Sequence, residues 1–323
     1  MKNTIGNLLL LGISLSIVLI IGEVVSRYVS PISPGPSILS LDGHSQKISY
    51  IEAGKRFRII TPDFDAITSI TKDGYRAPEA TGDIGPDTIF IGDSFTYAQG
   101  VEDHQTFSAL YCKATQKNCA NLGVPGASTL YEVDRLEYYL KEKDWRPRMV
   151  HFFFFTGNDF SENLDATSKR AQGQSYDPAE INPAATETSK GLIESTFDLG
   201  LKFSNLLRVA YFKVLPTLRN NEEESSQSLN KALAVTKTEF TRLASLSKNY
   251  GFNYQLYVIY PEPEITHNKY QEIGKKIQNH SIVSLIQLGD LFKKDTSKYF
   301  FPSDGHFSVE GNKKLAEFLI SRH

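Results

Sequence analysis

Hydrophobic positions along the chain fall into two regimes. The first is a single block: Ile5 to Ile21 is almost purely apolar, preceded by Lys2 and followed by Glu23 and Arg27. At about 1.5 Å per residue, a helix of that length crosses most of a bilayer's hydrocarbon. The second regime begins at Asp87, where short strand-like runs alternate with longer stretches of helical periodicity. The strand-like runs are Thr88 to Ile91, Cys119 to Leu122, Met149 to Phe155, Tyr254 to Tyr260 and Ser284 to Leu288. Helical patterns fall near Gln105 to Lys117, Thr129 to Lys143, Leu229 to Asn249, Asn268 to Gln278 and Val309 to Ser321. The second of these carries Leu130, Val133, Leu136, Tyr139 and Leu140 on one face. Met149 to Phe155 is apolar except for His151, as expected of a strand buried on both faces, and His151 reads as a core histidine. The alternation predicts an α/β fold, a parallel sheet with helices on both faces.

Residues 29–38 carry Pro31, Pro34, Gly35 and Pro36 and read as a stalk. Within 39–86, Phe57-Arg58-Ile59-Ile60 suggests a strand and Lys72-Asp73-Gly74-Tyr75 a turn, so an extended lead-in packed on the domain surface is expected. The alternation lapses over 161–226. Residues 161–192 are polar, a helix is predicted from Phe197 to Leu215 before Pro216, and Glu222-Glu223-Glu224-Ser225-Ser226 reads as a solvated loop. This segment is an insertion, either a lid or a decoration. The division is therefore a membrane anchor over 1–28, a stalk over 29–38, the lead-in over 39–86 and the α/β domain over 87–323.

Composition narrows the partners. With 323 residues, 35 Lys and Arg against 37 Asp and Glu, and no basic cluster interleaved with aromatics, nucleic-acid binding is disfavoured. A cleaved signal peptide competes with an uncleaved anchor for the apolar block. No A-x-A-type cleavage site follows it, because Ser26-Arg27-Tyr28 ends in a large residue, and an uncleaved anchor is the expectation. Lys2 and the terminal amine favour a cytoplasmic amino end. The body of the protein would then lie outside the cytoplasmic membrane, periplasmic or at the cell surface, held by a single pass. Cys112 and Cys119 suit that compartment, either as a short disulfide loop or as buried free thiols.

In a parallel sheet the loops after the strands open on one edge, where ligands bind. Here they hold Gly92-Asp93-Ser94, Gly123-Val124-Pro125-Gly126 and Gly157-Asn158-Asp159, and the loop before the last helix carries Asp304 and His306. A hydroxyl, a glycine amide, a side-chain amide, an imidazole and a carboxylate are expected at one rim, and acyl transfer needs those groups. Serine is a weak nucleophile until a base takes its proton. His306 can be that base, and Asp304 can hold its ring in the useful tautomer. The Ser94 N–H, the Gly126 N–H and the Asn158 side chain can receive an oxyanion. Taken singly the signals are weak: Ser94 suits a helix cap, Asn158 a turn and Gly126 a positive φ. His44, His104, His267, His280 and His323 form no metal spacing. There is also no phosphate loop, dinucleotide fingerprint or G-x-S-x-G elbow, so no cofactor is expected.

In chain order, Gly92-Asp93-Ser94, Asn121-Leu122-Gly123-Val124-Pro125-Gly126, Gly157-Asn158-Asp159 and His306 resemble the four blocks of the SGNH hydrolases, the GDSL-type esterases and lipases. The resemblance implies a three-layer α/β/α, flavodoxin-like doubly wound parallel sheet. It also implies Ser94 as nucleophile, Gly126 and Asn158 as oxyanion donors and His306 as base. Two positions depart from the family pattern. Phe95 stands where leucine is usual, and Ser303 stands three residues before the histidine, where the family places its aspartate. Asp304 is the expected orienting acid, with Asp290 as a fallback. The anchor and Asp73-Gly74-Tyr75-Arg76 resemble the membrane-tethered branch linked with extracytoplasmic polysaccharide modification. The expected function is a membrane-anchored extracytoplasmic serine esterase cleaving carboxylic esters, with O-acetyl groups on glycans as the favoured substrate. Two alternatives stand beside it: an O-acyltransferase acting on a polysaccharide, and a catalytically inactive glycan-binding protein of the same fold.

Overall fold

The computed structural model describes residues 2–30, 32, 37–42, 51–78, 85–177, 200–214, 222–281 and 283–322. Of the expected stalk, Pro31, Pro34, Gly35 and Pro36 lie outside these. Helix α1 (Lys2–Val29) carries the apolar block past Ile21. Its Leu9–Val29 stretch has a mean hydropathy of 2.4, is 6% buried, and is long and apolar enough to cross a membrane.

The lead-in, in which Phe57 to Ile60 suggested a strand, is a small antiparallel sheet of β1 (Ser37–Ser40), β2 (Arg56–Ile60) and β3 (Asp65–Ser69). Alternation along β2 and β3 buries Phe57, Ile59, Ala66 and Thr68 on one side. Phe57 and Ile59 pack with Ile70 and with Tyr97 of the main domain.

From residue 88 the order is β4 (Thr88–Ile91), α2 (Ser94–Tyr97), α3 (Phe107–Thr115), β5 (Cys119–Asn121), α4 (Thr129–Glu142), β6 (Met149–Phe155) and α5 (Asp159–Ala171). A helical turn over 200–203 leads into α6 (Asn205–Val209) and a π turn, Ala210–Val214. Then come α7 (Glu222–Tyr250), β7 (Asn253–Ile259), α8 (Glu262–Thr266), α9 (Tyr270–His280), β8 (Leu285–Gln287), α10 (Gly289–Phe292), α11 (Thr296–Tyr299) and α12 (Val309–Ile320). The main sheet runs β5-β4-β6-β7-β8 with every pairing parallel. This is the doubly wound, flavodoxin-like order in which the second strand lies outside the first.

The run Phe152-Phe153-Phe154 shows why β6 carries no alternation: all three rings are fully buried, on opposite faces. Phe152 and Phe154 meet Phe240 of α7 edge-on, while Phe153 meets Phe107 of α3. Helices α4 and α5 pack on α7, and α3 packs on α12. His151 is a core residue: Phe90 stacks on its ring at 5.1 Å and Nδ1 pairs with the Tyr257 hydroxyl at 3.0 Å. Cys112 and Cys119 form a disulfide, which settles the alternative left open above.

Three expectations within the insertion need correction. Residues 159–171 form a regular helix, and the signal was hidden because its buried positions are Asp159, Asn163 and Ala166. Asn163 is satisfied internally, donating to Thr129 Oγ1 and Thr236 Oγ1 at 3.0 Å each. The helix expected over 197–215 is broken at Ser204, whose hydroxyl accepts the Leu207 N–H to start α6; residues 197–199 and 215 lie outside the described chain. Residues 222–226 belong to α7 and are not a loop. Glutamates at a helix amino end are favoured by the helix dipole, which a reading based on polarity alone overlooks.

One buried cation ties the lead-in to the sheet. The Arg76 side chain is fully buried and donates to the carbonyls of Tyr97 (2.6 Å), Ala98 (2.7 Å) and Val101 (2.6 Å), with Asp103 at 3.3 Å. It thereby supplies donors for the loop that follows Ser94. Replacement by Met leaves three carbonyls and a carboxylate without that donor. Arg76→Met is expected to lower unfolding free energy by about 3–5 kcal/mol in urea titration.

Candidate functional site

β4 ends in Gly92-Asp93-Ser94, and α2 starts at Ser94 with Asp93 as its N-cap, Oδ1 accepting the Phe95 N–H at 2.9 Å. The turn lies so close to the β5 loop that a Cβ on Gly123 would sit 2.7 Å from the Thr96 carbonyl carbon, so only glycine fits there. Asn121, at the end of β5, closes the gap by donating to the Thr96 carbonyl at 2.7 Å.

Ser94 is 8% exposed, and its Oγ lies 2.7 Å from His306 Nε2. His306 Nδ1 lies 2.5 Å from Asp304 Oδ1. Hydroxyl, imidazole and carboxylate therefore form one hydrogen-bonded line. A carboxylate two residues before the histidine reaches the ring, so the shift from Ser303 to Asp304 does not break the line. The fallback residue, Asp290, accepts instead from the Tyr270 hydroxyl at 2.6 Å. Phe95 packs against the His306 ring at 4.9 Å and against Phe307 and Phe155 at 4.8 and 4.2 Å. The residue that departs from leucine thus forms the apolar bed of the imidazole.

The loop carrying Asp304 is held from outside the α/β domain. Asp63, in the turn between β2 and β3, accepts the N–H groups of Ser303 and Asp304 on one oxygen, at 2.7 and 2.6 Å. Beside it, Phe64 and Phe301 pack at 5.1 Å. No local signal marks Asp63 in the sequence, since its partners lie about 240 residues away.

Ser94, Asn158, Asp304 and His306 line one cavity of about 520 Å³, walled by Phe95, Phe155, Phe300, Phe301 and Pro302. Gly126 is not part of that lining. It sits exposed in the turn after β5 with φ +75°, a conformation that favours glycine.

Behind Asn158 lies a group of carboxyls that sequence reasoning missed. Asn158 Nδ2 donates to Glu162 Oε1 at 2.9 Å, and Asp159 Oδ2 accepts the Phe155 N–H at 2.8 Å, closing the loop after β6. Asp93 and Asp159 are fully buried, and Glu132 is 1% exposed. Neither oxygen of Glu132, nor Asp159 Oδ1, nor Glu162 Oε2 has a hydrogen-bond partner among the described residues. Burial, and then repulsion from Asp93 and Glu162, holds the Glu132 carboxyl well above the usual range. Burial and the neighbouring carboxylates do the same to Asp159, and burial raises Asp93. Glu162 is raised to about 8, again chiefly by burial. Among the described residues no group of three or more such side chains is arranged to hold a metal ion. The available signals were a glutamate on the apolar face of α4 and another one helical turn after Asn158.

Residues 89–319 match the family model described as GDSL-like Lipase/Acylhydrolase. Comparison with curated proteins gives no match. Among solved structures, the chain is similar to a G-D-S-L family protein from Desulfitobacterium hafniense DCB-2, with 12% identity, 72% of this chain and 97% of that one covered, and a TM-score of 0.41. It is similar to a carbohydrate esterase with divergent catalytic and non-catalytic binding functions, at 13% identity, 91% and 97% coverage and a TM-score of 0.41. A carbohydrate esterase family 2 enzyme with a carbohydrate binding domain, from Corynascus thermopiles (Myceliophthora fergusii), gives 11% identity, 82% and 71% coverage and a TM-score of 0.39.

The carboxyl group sets a pH dependence. Each member keeps its proton in the folded chain at pH values where the unfolded chain would release it. The folded state then binds more protons, and stability falls as pH rises; for Glu162 the fall runs from 4.5 to about 8. Urea midpoints are expected to decline between about pH 5 and about pH 8, and Glu132→Gln to make that decline shallower.

Proposed function

The chain belongs to the GDSL-like lipase/acylhydrolase family, and from that premise we propose that it is a membrane-anchored, extracytoplasmic serine esterase acting on O-acetyl groups of glycans. Membership makes the protein a serine ester hydrolase. The roles rest on one observation, the hydrogen-bonded line Asp304–His306–Ser94 at the wall of the aromatic cavity.

In this reading the Ser94 Oγ attacks the ester carbonyl carbon while His306 Nε2 takes its proton. Asp304 holds the ring through Nδ1 and stabilises the imidazolium that forms. The tetrahedral oxyanion is received by the Ser94 N–H and the Asn158 amide, whose other hydrogen is held by Glu162; Gly126, expected as a third donor, lies outside the cavity lining and takes no part in this reading. Collapse re-forms the carbonyl and breaks the bond between the acyl carbon and the alkoxy oxygen, His306 gives its proton to the leaving alcohol, and the acyl group remains on Ser94. Water, deprotonated by the same imidazole, then releases the acid and restores the serine.

Support for a glycan comes from the cavity walls. Phe155, Phe301, Pro261 and Pro302 offer flat apolar surfaces of the kind that pack against the C–H face of a sugar ring. Support for the tether comes from the Leu9–Val29 stretch, followed by Pro-containing chain before the first strand. The division into anchor (1–28), stalk (29–38), lead-in (39–86) and catalytic domain (87–323) with an insertion over 161–226 belongs to the same reading; α5 moves the start of that insertion past residue 171, and β1 takes residues 37 and 38 from the stalk. An alcohol replacing water in the second step would turn the same residues to acyl transfer.

The test uses full-length protein in detergent with p-nitrophenyl acetate. Ser94→Ala and His306→Ala are expected to lower kcat/KM by at least ~10³, and Asn158→Ala by ~10²–10³, with circular dichroism unchanged. Full turnover by Ser94→Ala would remove the proposed nucleophile. Acetyl appearing on an added oligosaccharide, with little free acetate, would make the protein a transferase.

The lead-in gives a separate expectation. Asp63→Ala should lower kcat with little change in KM, because the loop carrying Asp304 loses its anchor. Asp63→Asn, whose amide oxygen still accepts both N–H groups, should recover most of the loss.

A further inference from the structure

The second half of the insertion packs with its polarity inside out. Residues 200–214 dock on the last turns of α1, and the side chains buried there are polar: Asn205 is 2% exposed, Arg208 6% and Ser26 8%. Asn205 Nδ2 donates to Ser26 Oγ and to the Ser30 carbonyl, both at 3.1 Å, and its Oδ1 accepts the Ile32 N–H at 2.8 Å. Glu23 closes the amino end of α6, accepting the N–H groups of Asn205 and Leu206 at 2.9 and 3.0 Å and the Ser204 hydroxyl at 2.8 Å. Arg27 bonds Glu23 at 2.7 Å and the Phe203 carbonyl at 2.9 Å. Arg208 donates to the carbonyls of Ile32 and Leu201 at 2.8 and 2.6 Å.

Apart from Lys202, the described side chains turned outward are apolar or aromatic. Phe203 is 68% exposed, Tyr211 42% and Val214 46%; on α1 itself, Tyr28 is 85% and Val29 77% exposed. A segment surrounded by water does the opposite, burying its apolar face and exposing its polar one. Apolar and aromatic groups outward suit the lipid headgroup level, where aromatic rings concentrate.

We infer that residues 200–214 form a membrane-interface element lying on the bilayer that α1 crosses, with Phe203 in contact with lipid. The inference rests on the proposed anchor. The occupant is lipid, and not another protein, because the element is joined to Glu23–Ser30, the end of the Leu9–Val29 apolar stretch. Glu23 and Arg27 mark the level at which that stretch meets water, and the Phe203 backbone is bonded to Arg27 at that level. The insertion thus gives the α/β domain a second foot on the membrane, fixing its height and rotation where a single flexible tether would leave both free.

Single cysteines at Phe203, Tyr211, Val29, Leu15 and Ser245 test this, each labelled with the fluorophore NBD in full-length protein in phosphatidylcholine/phosphatidylglycerol vesicles. The native cysteines are bonded to each other and do not label. All five positions are exposed, so folding is retained and ester hydrolysis can be checked in each variant. With brominated phosphatidylcholine present, labels at 203 and 211 are expected to lose fluorescence as much as the label at 29. The label at Ser245, near the far end of α7, is expected to lose none. Quenching at 15 and 29 with none at 203 and 211 overturns the inference and leaves the anchor standing. Quenching at 245 equal to that at 203 overturns it as well. No quenching at 15 removes the anchor, and the inference with it.

Discussion

The position of one imidazole governs this structure. His306 must stand 2.7 Å from a hydroxyl 212 residues earlier in the chain, a distance no local geometry sets, and 2.5 Å from the carboxylate of Asp304 in its own loop. The serine is delivered by a strand of the buried sheet, the histidine by the loop before the last helix. Both are then pinned by the lead-in: Asp63 takes the N–H groups of residues 303 and 304, and Arg76 takes the carbonyls behind Ser94. The lead-in, which reads as an extended segment packed on the domain surface, is the brace of the site. A weak nucleophile gains from its base only when the base is already in place, so such bracing bears directly on rate.

The same region carries a cost. Asp93, Glu132, Asp159 and Glu162 bring carboxyls together where water is excluded, and several of their oxygens have no protein partner among the described residues. A core built for stability alone would place apolar residues there. Here the carboxyls shape the loop that presents Asn158, through its bond to Glu162 and through the Asp159 bond to the Phe155 N–H. Local instability offset by surrounding packing is common beside functional groups. In this chain the offset comes from the aromatic interior of β6 and the helices on either side of it.

The insertion obeys a different solvent. Along β2, β6 and α4 the apolar positions point inward, as water requires. Over 200–214 the buried side chains, Asn205 and Arg208, are polar, and an aromatic ring, Phe203, points out. One chain thus holds both polarities, and the change falls where the insertion meets the apolar helix.

Much of this could be read from residue order. An unbroken apolar run such as Met149 to Phe155 means burial on two faces, and strands alternating with helices mean a parallel sheet, because both follow from short-range periodicity. The order of the four blocks likewise fixes which loops lie on one rim, since a parallel sheet puts the carboxyl ends of its strands together. Other features had no local signature. Helix α5 was masked because its inward face carries Asp159 and Asn163, whose partners lie at the end of β6 and on other helices. Asp63 and Arg76 act on residues far along the chain, and the reach of Asp304 to His306 depended on a loop bent by that outside support. Periodicity reports which side of an element faces solvent. Which distant groups then meet is decided by packing, and only the folded chain supplies that.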